Sequence, residues 1–173
     1  RHCTRLDLAA PRIATLLGQA RPRPDDGAES ALLSCLRPIL VLEQAGRCAT
    51  YEWLPDGALR LCPGSTIAAD APGQELLSQR NLSRAAGRLF MLADLPLVLN
   101  TQGTGGHDRL LTLTGQWIGA FWLALEREGL HGCPAGAAIE SDLLSHLPTA
   151  YAHLFSVFAF TFGNIGEAPP CSA

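Results

Sequence analysis

Lysine is absent from this 173-residue chain, in which all thirteen basic residues are arginines and sixteen residues are acidic. Because Schiff-base catalysis and an amine general base both need a lysine, the sequence excludes these two kinds of chemistry. The formal net charge of −3 also argues against a nucleic-acid partner, which would demand a basic face.

Metal-binding cysteine patterns are absent as well. The six cysteines form no C-x-x-C pair and no spacing typical of metal ligands, so we predict no metal site. Cys48 and Cys62 fall on opposite arms of a predicted hairpin, an arrangement that permits a disulfide without requiring one.

Long apolar runs are also missing. The longest, near residues 154–162, is too short to span a bilayer, and we predict no membrane partner. The chain opens on charged residues rather than an apolar stretch, so we expect no secretory signal and reduced thiols in a bacterial-type cytoplasm. It does not open on Met, so we expect further residues before Arg1 in the full-length protein.

The length predicts a single domain over residues 1–173 with a substantial core. Apolar residues make up 47% of the chain and charged residues 17%. This excess indicates extensive apolar burial, either in a core alone or in a core plus a subunit interface.

Hydrophobic patterning predicts an α+β fold with helices, strands and one hairpin. The hairpin is indicated by Pro55, Asp56 and Gly57, whose types suit a tight turn. We predict strands over residues 38–43, 48–53, 58–62, 95–100 and 151–162, and helices over residues 6–20, 28–36, 74–80, 82–93, 108–128 and 141–146. The long helix at 108–128 is apolar on most of its circumference, so we expect it to be buried on nearly all sides, with Gly115 and Gly119 allowing close helix packing.

Residues 1–5, Arg-His-Cys-Thr-Arg, form a cationic cluster that leads into the first turn and helix. Guanidinium groups present forked donors that match phosphate oxygens. The cluster therefore indicates a phosphate site, and a solvated charge patch is the alternative. The Gly-rich residues 101–106 lack the Lys-Ser/Thr of a P-loop, so we expect a flexible connection there.

Two further motifs follow. Residues 129–136 read Gly-Leu-His-Gly-Cys-Pro-Ala-Gly after the long helix, and residues 34–38 read Ser-Cys-Leu-Arg-Pro before a strand. Together with residues 1–5, they resemble the FMN-dependent nitroreductase superfamily, whose motifs are R-[RH]-S-x-[RK], S-x-x-Q-P and G-L-G-x-x-P-x-G. Cys3 stands where that family usually has Ser. The predicted hairpin at residues 49–61 is similar to one in azoline dehydrogenases, the branch that oxidises thiazoline or oxazoline rings in peptides.

The resemblance implies a nitroreductase-like fold, with a central, mainly antiparallel sheet flanked by helices, and an intertwined dimer with FMN at its interface. The backbone at 134–137 would face the flavin N5 and O4 edge, although a tight loop after a helix is the simpler interpretation. Residues 162–167 lack the basic residue that the family usually has there, so either FMN would bind weakly, or Arg37 or a partner chain would supply that charge. The implied FMN-binding residues are Arg1, His2, Cys3, Arg5, Ser34, Arg37, Pro134, Ala135, Gly136 and Ala137.

Azoline dehydrogenases carry a Lys-Tyr pair near the start of the long helix, where this chain has His107, Asp108 and Arg109, which are therefore candidate catalytic residues. An imidazole titrates in the working pH range, so His107 is a candidate base, with His131 beside the flavin-facing segment as the other. A solvated loop histidine is the alternative at both positions.

The resemblance leaves three hypotheses open. The first is an FMN-dependent oxidoreductase that oxidises azoline rings or a similar group in a peptide natural product. The second is a nitroreductase acting on a small molecule, with flavin reduced by NAD(P)H. The third is a degenerate, non-catalytic subunit that acts as a scaffold or binds peptide in a maturation complex. The protein would form a homodimer, or a heterodimer with a related subunit.

Overall fold

The strands pair into one antiparallel sheet in the computed structural model, which describes residues 3–4, 9–63, 67–68, 76–79, 82, 85–135, 138 and 140–165. The strands of this described part are β1 (Cys3–Thr4), β2 (Leu36–Gln44), β3 (Arg47–Trp53), β4 (Leu59–Leu61), β5 (Ile67–Ala68), β6 (Gly87–Ala93), β7 (His131–Ala135) and β8 (Phe155–Ile165). The helices are α1 (Ala10–Ala20), α2 (Gly27–Cys35), α3 (Leu95–Gln102), α4 (Gly105–Arg127) and α5 (Glu140–Ser145), with a 3₁₀ turn at Thr149–Tyr151.

The strand order is β1-β8-β6-β2-β3-β4, with β5 paired to β3 and β7 paired to β8. β6 lies near the middle, and all seven of its residues are buried. A central strand covered on both faces has a continuous apolar sequence instead of an alternating one, and Leu-Phe-Met-Leu-Ala at 89–93 has that character.

Separate apolar clusters cover the two faces of the sheet. Along β2, Leu40 and Leu42 point into the cluster that contains α1, α2 and α4, whereas Ile39 and Val41 point into the other. This alternation follows from the two-residue period of a strand. The second cluster is completed by leucines from helix α5 and from segments outside the named strands and helices: Leu76, Leu77, Leu143, Leu147 and Leu154.

Two tryptophans fix α1 against the sheet and α4. Trp117 Nε1 donates to the Leu17 carbonyl at 2.9 Å, and Trp53 Nε1 donates to the Ala14 carbonyl at 3.2 Å. The indole rings meet edge to face with centroids 5.4 Å apart. Both indole N–H groups are buried, so these bonds satisfy donors that would otherwise be costly to remove from water.

The structure confirms several sequence predictions. The helix at 28–36 is α2, the strand at 38–43 is β2, and the hairpin joins β3 and β4 with Trp53 opposite Leu59. Gly57 has a φ of 87°, the left-handed conformation that the turn required.

Two neighbouring predictions are wrong and exchange helix with strand. The predicted helix at 82–93 contains strand β6, and the predicted strand at 95–100 is helix α3. Asp94 begins that helix, because its carboxylate accepts the Leu97 N–H at 3.0 Å, and Pro96 suits the first turn. The helix predicted over residues 74–80 is also wrong, because residues 76–79 are not helical and Leu77 forms an isolated antiparallel β-bridge with Ala138. The last strand begins at Phe155 instead of residue 151, after the 3₁₀ turn.

Helix α4 is buried on one side only within this chain, contrary to the prediction of burial on nearly all sides. Leu111 and Leu123 on its other side are 42% and 63% exposed. Gly115 and Gly119 do not pack closely, because a Cβ added at either would meet no atom within 4 Å. The predicted connection at 101–106 is mostly helical, with residues 103 and 104 separating α3 from α4.

Within the described residues, Cys35, Cys48, Cys62 and Cys133 form no disulfide. None of the helices in the described ranges combines the length and the apolar character needed to cross a bilayer.

The contact between β6 and β8 makes Gly87 a sensitive position. A Cβ at Gly87 would lie 2.3 Å from Phe162 Cε2 in the buried core. We expect Gly87→Ala to lower the free energy of unfolding by about 1–3 kcal/mol, as overpacking typically does. The control is Gly27→Ala at the exposed start of α2, where an added Cβ meets nothing within 4 Å. Urea unfolding checks this, and equal stability of the two variants would contradict it.

Candidate functional site

The N-terminal motif and the motif after the long helix meet on strand β8. Cys3 pairs with Ile165 and Thr4 with Asn164, while β7 pairs with the preceding residues from Gly163 to Ala159. We call this part of the sheet (β1, β7 and residues 159–165 of β8) the β8 end. Of the predicted cofactor-binding residues, Arg1, His2, Arg5, Gly136 and Ala137 lie outside the described residues.

The segment after the long helix is a strand rather than the tight loop of the simpler interpretation. Gly129 follows the helix with a φ of 75°, and the chain then enters β7, where Pro134 and Ala135 lie opposite Phe160 and Ala159. A Cβ at Gly132 would lie 2.1 Å from Phe160 Cζ. Glycine at this position therefore allows β7 to lie directly over the ring.

His131, at the start of β7, is held by the end of α4. Its Nδ1 lies 3.0 Å from the Glu126 carboxylate, and Trp122 Nε1 donates to the same carboxylate at 3.1 Å. His131 and Glu126 are both partly exposed. A carboxylate at this distance orients an imidazole and favours a proton on the facing nitrogen.

His107, Asp108 and Arg109 occupy the first turns of α4, so His107 is a helical residue and not a loop residue. Its Nδ1 lies 3.7 Å from Asp108, and Arg109 forms ion pairs with Asp26 at 3.2 Å and Glu29 at 3.7 Å, which join α4 to α2. Twenty residues of helix separate His107 from the end of α4, roughly 30 Å at 1.5 Å per residue. The two predicted histidine bases therefore lie at opposite ends of the helix.

Arg37 lies far from Cys3 along the sheet. Arg37 pairs with Leu92, which pairs with Ser156, while Cys3 pairs with Ile165, nine positions further along β8. At about 3.3 Å per residue this separation is roughly 30 Å. Within one chain, Arg37 is therefore far from Cys3 of the N-terminal motif, whereas Ala135, opposite Ala159, is only three positions along β8 from Ser156.

The end of the sheet that holds Arg37 contains two pockets, of about 530 and 520 Å³. Arg37, Glu52, Arg60 and Tyr151 line both pockets, and we call these four residues the shared wall. Sequence reasoning missed three of them. The hairpin register places Glu52 opposite Arg60, so the predicted turn was a signal for that pair, but no local signal indicated Tyr151.

Ionic contacts organise the shared wall. Arg60 is bonded to the Glu52 carboxylate, and its Nη2 lies 3.2 Å from the Tyr151 hydroxyl. Burial, followed by a hydrogen bond to Glu52, raises the pKa of Tyr151, so the phenol is neutral at physiological pH. The pKa of Arg60 is raised chiefly by its bond to Glu52, so this side chain stays cationic.

Two thiols line the larger pocket beside the shared wall. Burial raises the pKa of Cys35 and of Cys62, and the nearby carboxylates Asp94 and Glu52 respectively add to the effect. Because the thiolate is the reactive form, both cysteines are unsuited to nucleophilic chemistry at neutral pH.

Comparison with known proteins identifies the fold. A chain of the E. coli microcin synthetase McbBCD complex, with truncated pro-MccB17 bound, superposes with a TM-score of 0.74 at 18% identity, over 96% of this chain and 67% of that chain. Nitroreductase CinD from Lactococcus lactis, in complex with chloramphenicol, gives 0.62 at 14% identity, over 97% and 84%. A proposed nitroreductase from Anabaena variabilis gives 0.69 at 16% identity, and this chain spans only 32% of that protein.

No protein-family model matches the sequence, and no curated protein sequence matches it either. The structural matches nevertheless agree with the observed sheet and helices. The protein has a nitroreductase-like α+β fold, which confirms the fold expected from the sequence motifs.

Asp26 caps the N-terminus of α2, where its carboxylate accepts the Glu29 N–H at 2.7 Å, and this contact gives a pH-dependent prediction. The hydrogen bond that the Glu29 N–H donates to the Asp26 carboxylate is the largest cause of the lowered pKa of Asp26, and the Arg109 guanidinium lowers this pKa further. A carboxyl whose pKa is lower in the folded state stabilises the fold above its unfolded pKa of about 3.9, and this contribution is lost as pH falls through the folded value. We therefore expect Asp26→Ala to unfold at lower urea than wild type at pH 7.

The difference between Asp26→Ala and wild type should shrink below about pH 4. Asp25→Ala, next in sequence, removes an exposed carboxylate whose side chain is not the α2 cap, and serves as the control. A difference that stays constant between pH 7 and pH 3, or an equal effect of Asp25→Ala, would contradict this account.

Proposed function

We propose that this protein is an FMN-dependent oxidoreductase, with its cofactor held at the β8 end. The backbone pairing on β8 supports the proposal. Cys3 pairs with Ile165 and His131 pairs with Gly163, so the two motifs meet β8 only two positions apart. Two motifs separated by more than a hundred residues are thus brought to one place.

The residue types at the β8 end fit the cofactor. Arg1, His2 and Arg5 flank the paired Cys3 and would hold the phosphate through charge-assisted hydrogen bonds. Backbone N–H groups of residues 135–137, next to β7, would face the flavin ring. When bound, FMN supplies the hydride-accepting centre of the reaction.

We propose that the substrate is an azoline ring or a similar group in a peptide. The similarity of the hairpin to azoline dehydrogenases and the likeness to a chain of the microcin synthetase complex support this substrate class. Oxidation of such a ring removes a hydride and a proton, so a base must accept the proton. Of the two candidate histidines, His131 lies at the β8 end, with Glu126 3.0 Å away to orient its ring.

A specific observation favours the non-catalytic alternative. Residues 162–165 of β8 include no basic residue, although Asn164 and Ile165 pair with β1, and Cys3 replaces the usual serine. A subunit that has lost its cofactor while keeping the fold would act as a scaffold or peptide-binding partner in a maturation complex. In the nitroreductase alternative, NAD(P)H would bleach the bound flavin, whereas an azoline oxidase would be bleached by its peptide substrate.

The phosphate assignment predicts that Arg1→Ala combined with Arg5→Ala abolishes FMN retention on desalting and leaves the unfolding midpoint close to that of wild type. Two lost charge-assisted bonds, at about 1.5–3 kcal/mol each, correspond to an affinity loss of at least a hundredfold. Arg23→Ala, an exposed arginine in the loop before α2, is the matched control. Retention of FMN by the double variant would refute the assignment.

We further propose that the exposed side of α4 joins two subunits. This side carries Leu111, Leu123, Gly115 and Gly119, and the two glycines leave space for a neighbouring backbone. These leucines are exposed in the single chain and would be buried in such a dimer.

The dimer proposal predicts that Gly115→Arg combined with Gly119→Arg yields a folded monomer. New side chains at these positions meet nothing within the chain but would collide with a partner helix. Gln19→Arg adds a cation on the exposed side of α1 and should leave the dimer intact. Light scattering with size-exclusion chromatography measures the mass, and a double variant that stays dimeric would contradict this interface.

A further inference from the structure

The end of the sheet that holds Arg37 contains two pockets, which the sequence motifs do not assign to a peptide ligand. We propose that the larger pocket and the shared wall bind a carboxylate-bearing apolar peptide segment, with Arg37 as the anion-binding residue. The argument for this site does not require that FMN be bound.

The first argument is the charge of the pocket. Its two carboxylates already have partners: Glu52 is bonded to Arg60, and Asp94 caps α3 and lies 3.4 Å from His153 Nε2. Arg37 Nη1, in contrast, donates to the main-chain oxygens of Ser34 at 2.6 Å and Leu36 at 3.1 Å. Among the described residues, no carboxylate neutralises Arg37. A ligand carboxylate matches a guanidinium that retains donors for a forked contact.

The second argument is the apolar lining. Leu61 and Leu97 are 50% and 44% exposed, and both line the larger pocket together with Pro63 and Pro148. Large aliphatic side chains at a pocket are normally covered by apolar groups of the ligand, while a few polar groups fix its orientation. The ligand should therefore combine aliphatic side chains with one anionic group.

The third argument is that β4, at the edge of the sheet, borders the larger pocket. β4 ends the described strand order, and its Arg60 and Leu61 line the pocket. An edge strand offers main-chain groups to an extended peptide, and the adjacent pocket accepts one side chain or the chain end. The neutral Tyr151 hydroxyl, beside Arg60, adds a hydrogen-bonding group for the same ligand.

The main competing ligand is the FMN phosphate, which is also an anion. In a single chain, Arg37 and the N-terminal motif are separated by roughly 30 Å of sheet, as estimated from the strand register at about 3.3 Å per residue. A phosphate held by residues 1–5 of the same chain is therefore out of reach of Arg37. An FMN bound between two subunits could still reach Arg37, so the experiment must distinguish FMN binding at Arg37 from peptide binding there.

Isothermal titration calorimetry with N-acetyl-Leu-Leu-Leu and its C-terminal amide tests the proposal, because the two probes differ only in the carboxylate. We expect wild type to bind the acid at least tenfold more tightly than the amide. Arg37→Gln should remove this preference, and Arg23→Gln should keep it. Leu97→Glu, at an exposed position, places a negative charge in the pocket and should also remove the preference, whereas Leu99→Glu on the same helix should not.

Three results would overturn the proposal: no binding of either probe, equal binding of acid and amide, or an acid preference that survives both Arg37→Gln and Leu97→Glu. FMN retention after desalting is measured on the same preparations. Loss of FMN in Arg37→Gln but not in Arg23→Gln would assign Arg37 to the cofactor site and also overturn the proposal. An acid preference in protein that never retains FMN would uphold the peptide site while the proposed oxidoreductase function fails.

Discussion

Backbone pairing along β8 is the interaction on which the arrangement of this protein depends. This strand bonds to β6 in the middle of the sheet, to β7 over residues 159–163, and to β1 at its end. Its Phe160 and Phe162 point into the core, where Phe121 of α4 meets them edge to face. One strand thus connects the core, the long helix and both distant motifs.

The motifs themselves could be predicted from sequence because their information is local. The turn at 55–57, the glycine that ends α4 and the cationic pentapeptide each depend on a few adjacent side chains. The meeting of residues 1–5 with residues 129–136 came from family resemblance, and the structure brings their backbones to one strand. What those residues bind remains a proposal.

Other features depend on tertiary context and could not be predicted. Residues 82–100 contain two apolar stretches that fit either a buried strand or a helix, and the cap at Asp94 together with the central place of β6 decides between them. Tyr151 reaches Arg60 across 91 residues of chain, so no pattern in the sequence indicated the shared wall. Arg109, a candidate for catalysis from its position, forms ion pairs with α2 in the structure.

The two ends of the sheet have different chemistry, and this difference is the basis of the functional account. The β8 end combines a cationic segment with main-chain groups, which suits a phosphorylated cofactor. The opposite end combines an arginine, exposed leucines and a neutral phenol, which suits a peptide with a carboxylate. An enzyme that oxidises a peptide, as proposed above, would need both kinds of site, whereas a peptide-binding scaffold would need only the second.

The most direct test of the central claim is to titrate FMN with the wild-type protein and to measure the fluorescence anisotropy of the flavin at each protein concentration. Cofactor binding at the β8 end predicts a saturable rise in anisotropy with one FMN bound per chain. Anisotropy that remains at the value of free FMN over the whole protein concentration range would contradict the claim, and the protein would then be a nitroreductase-like scaffold without the cofactor.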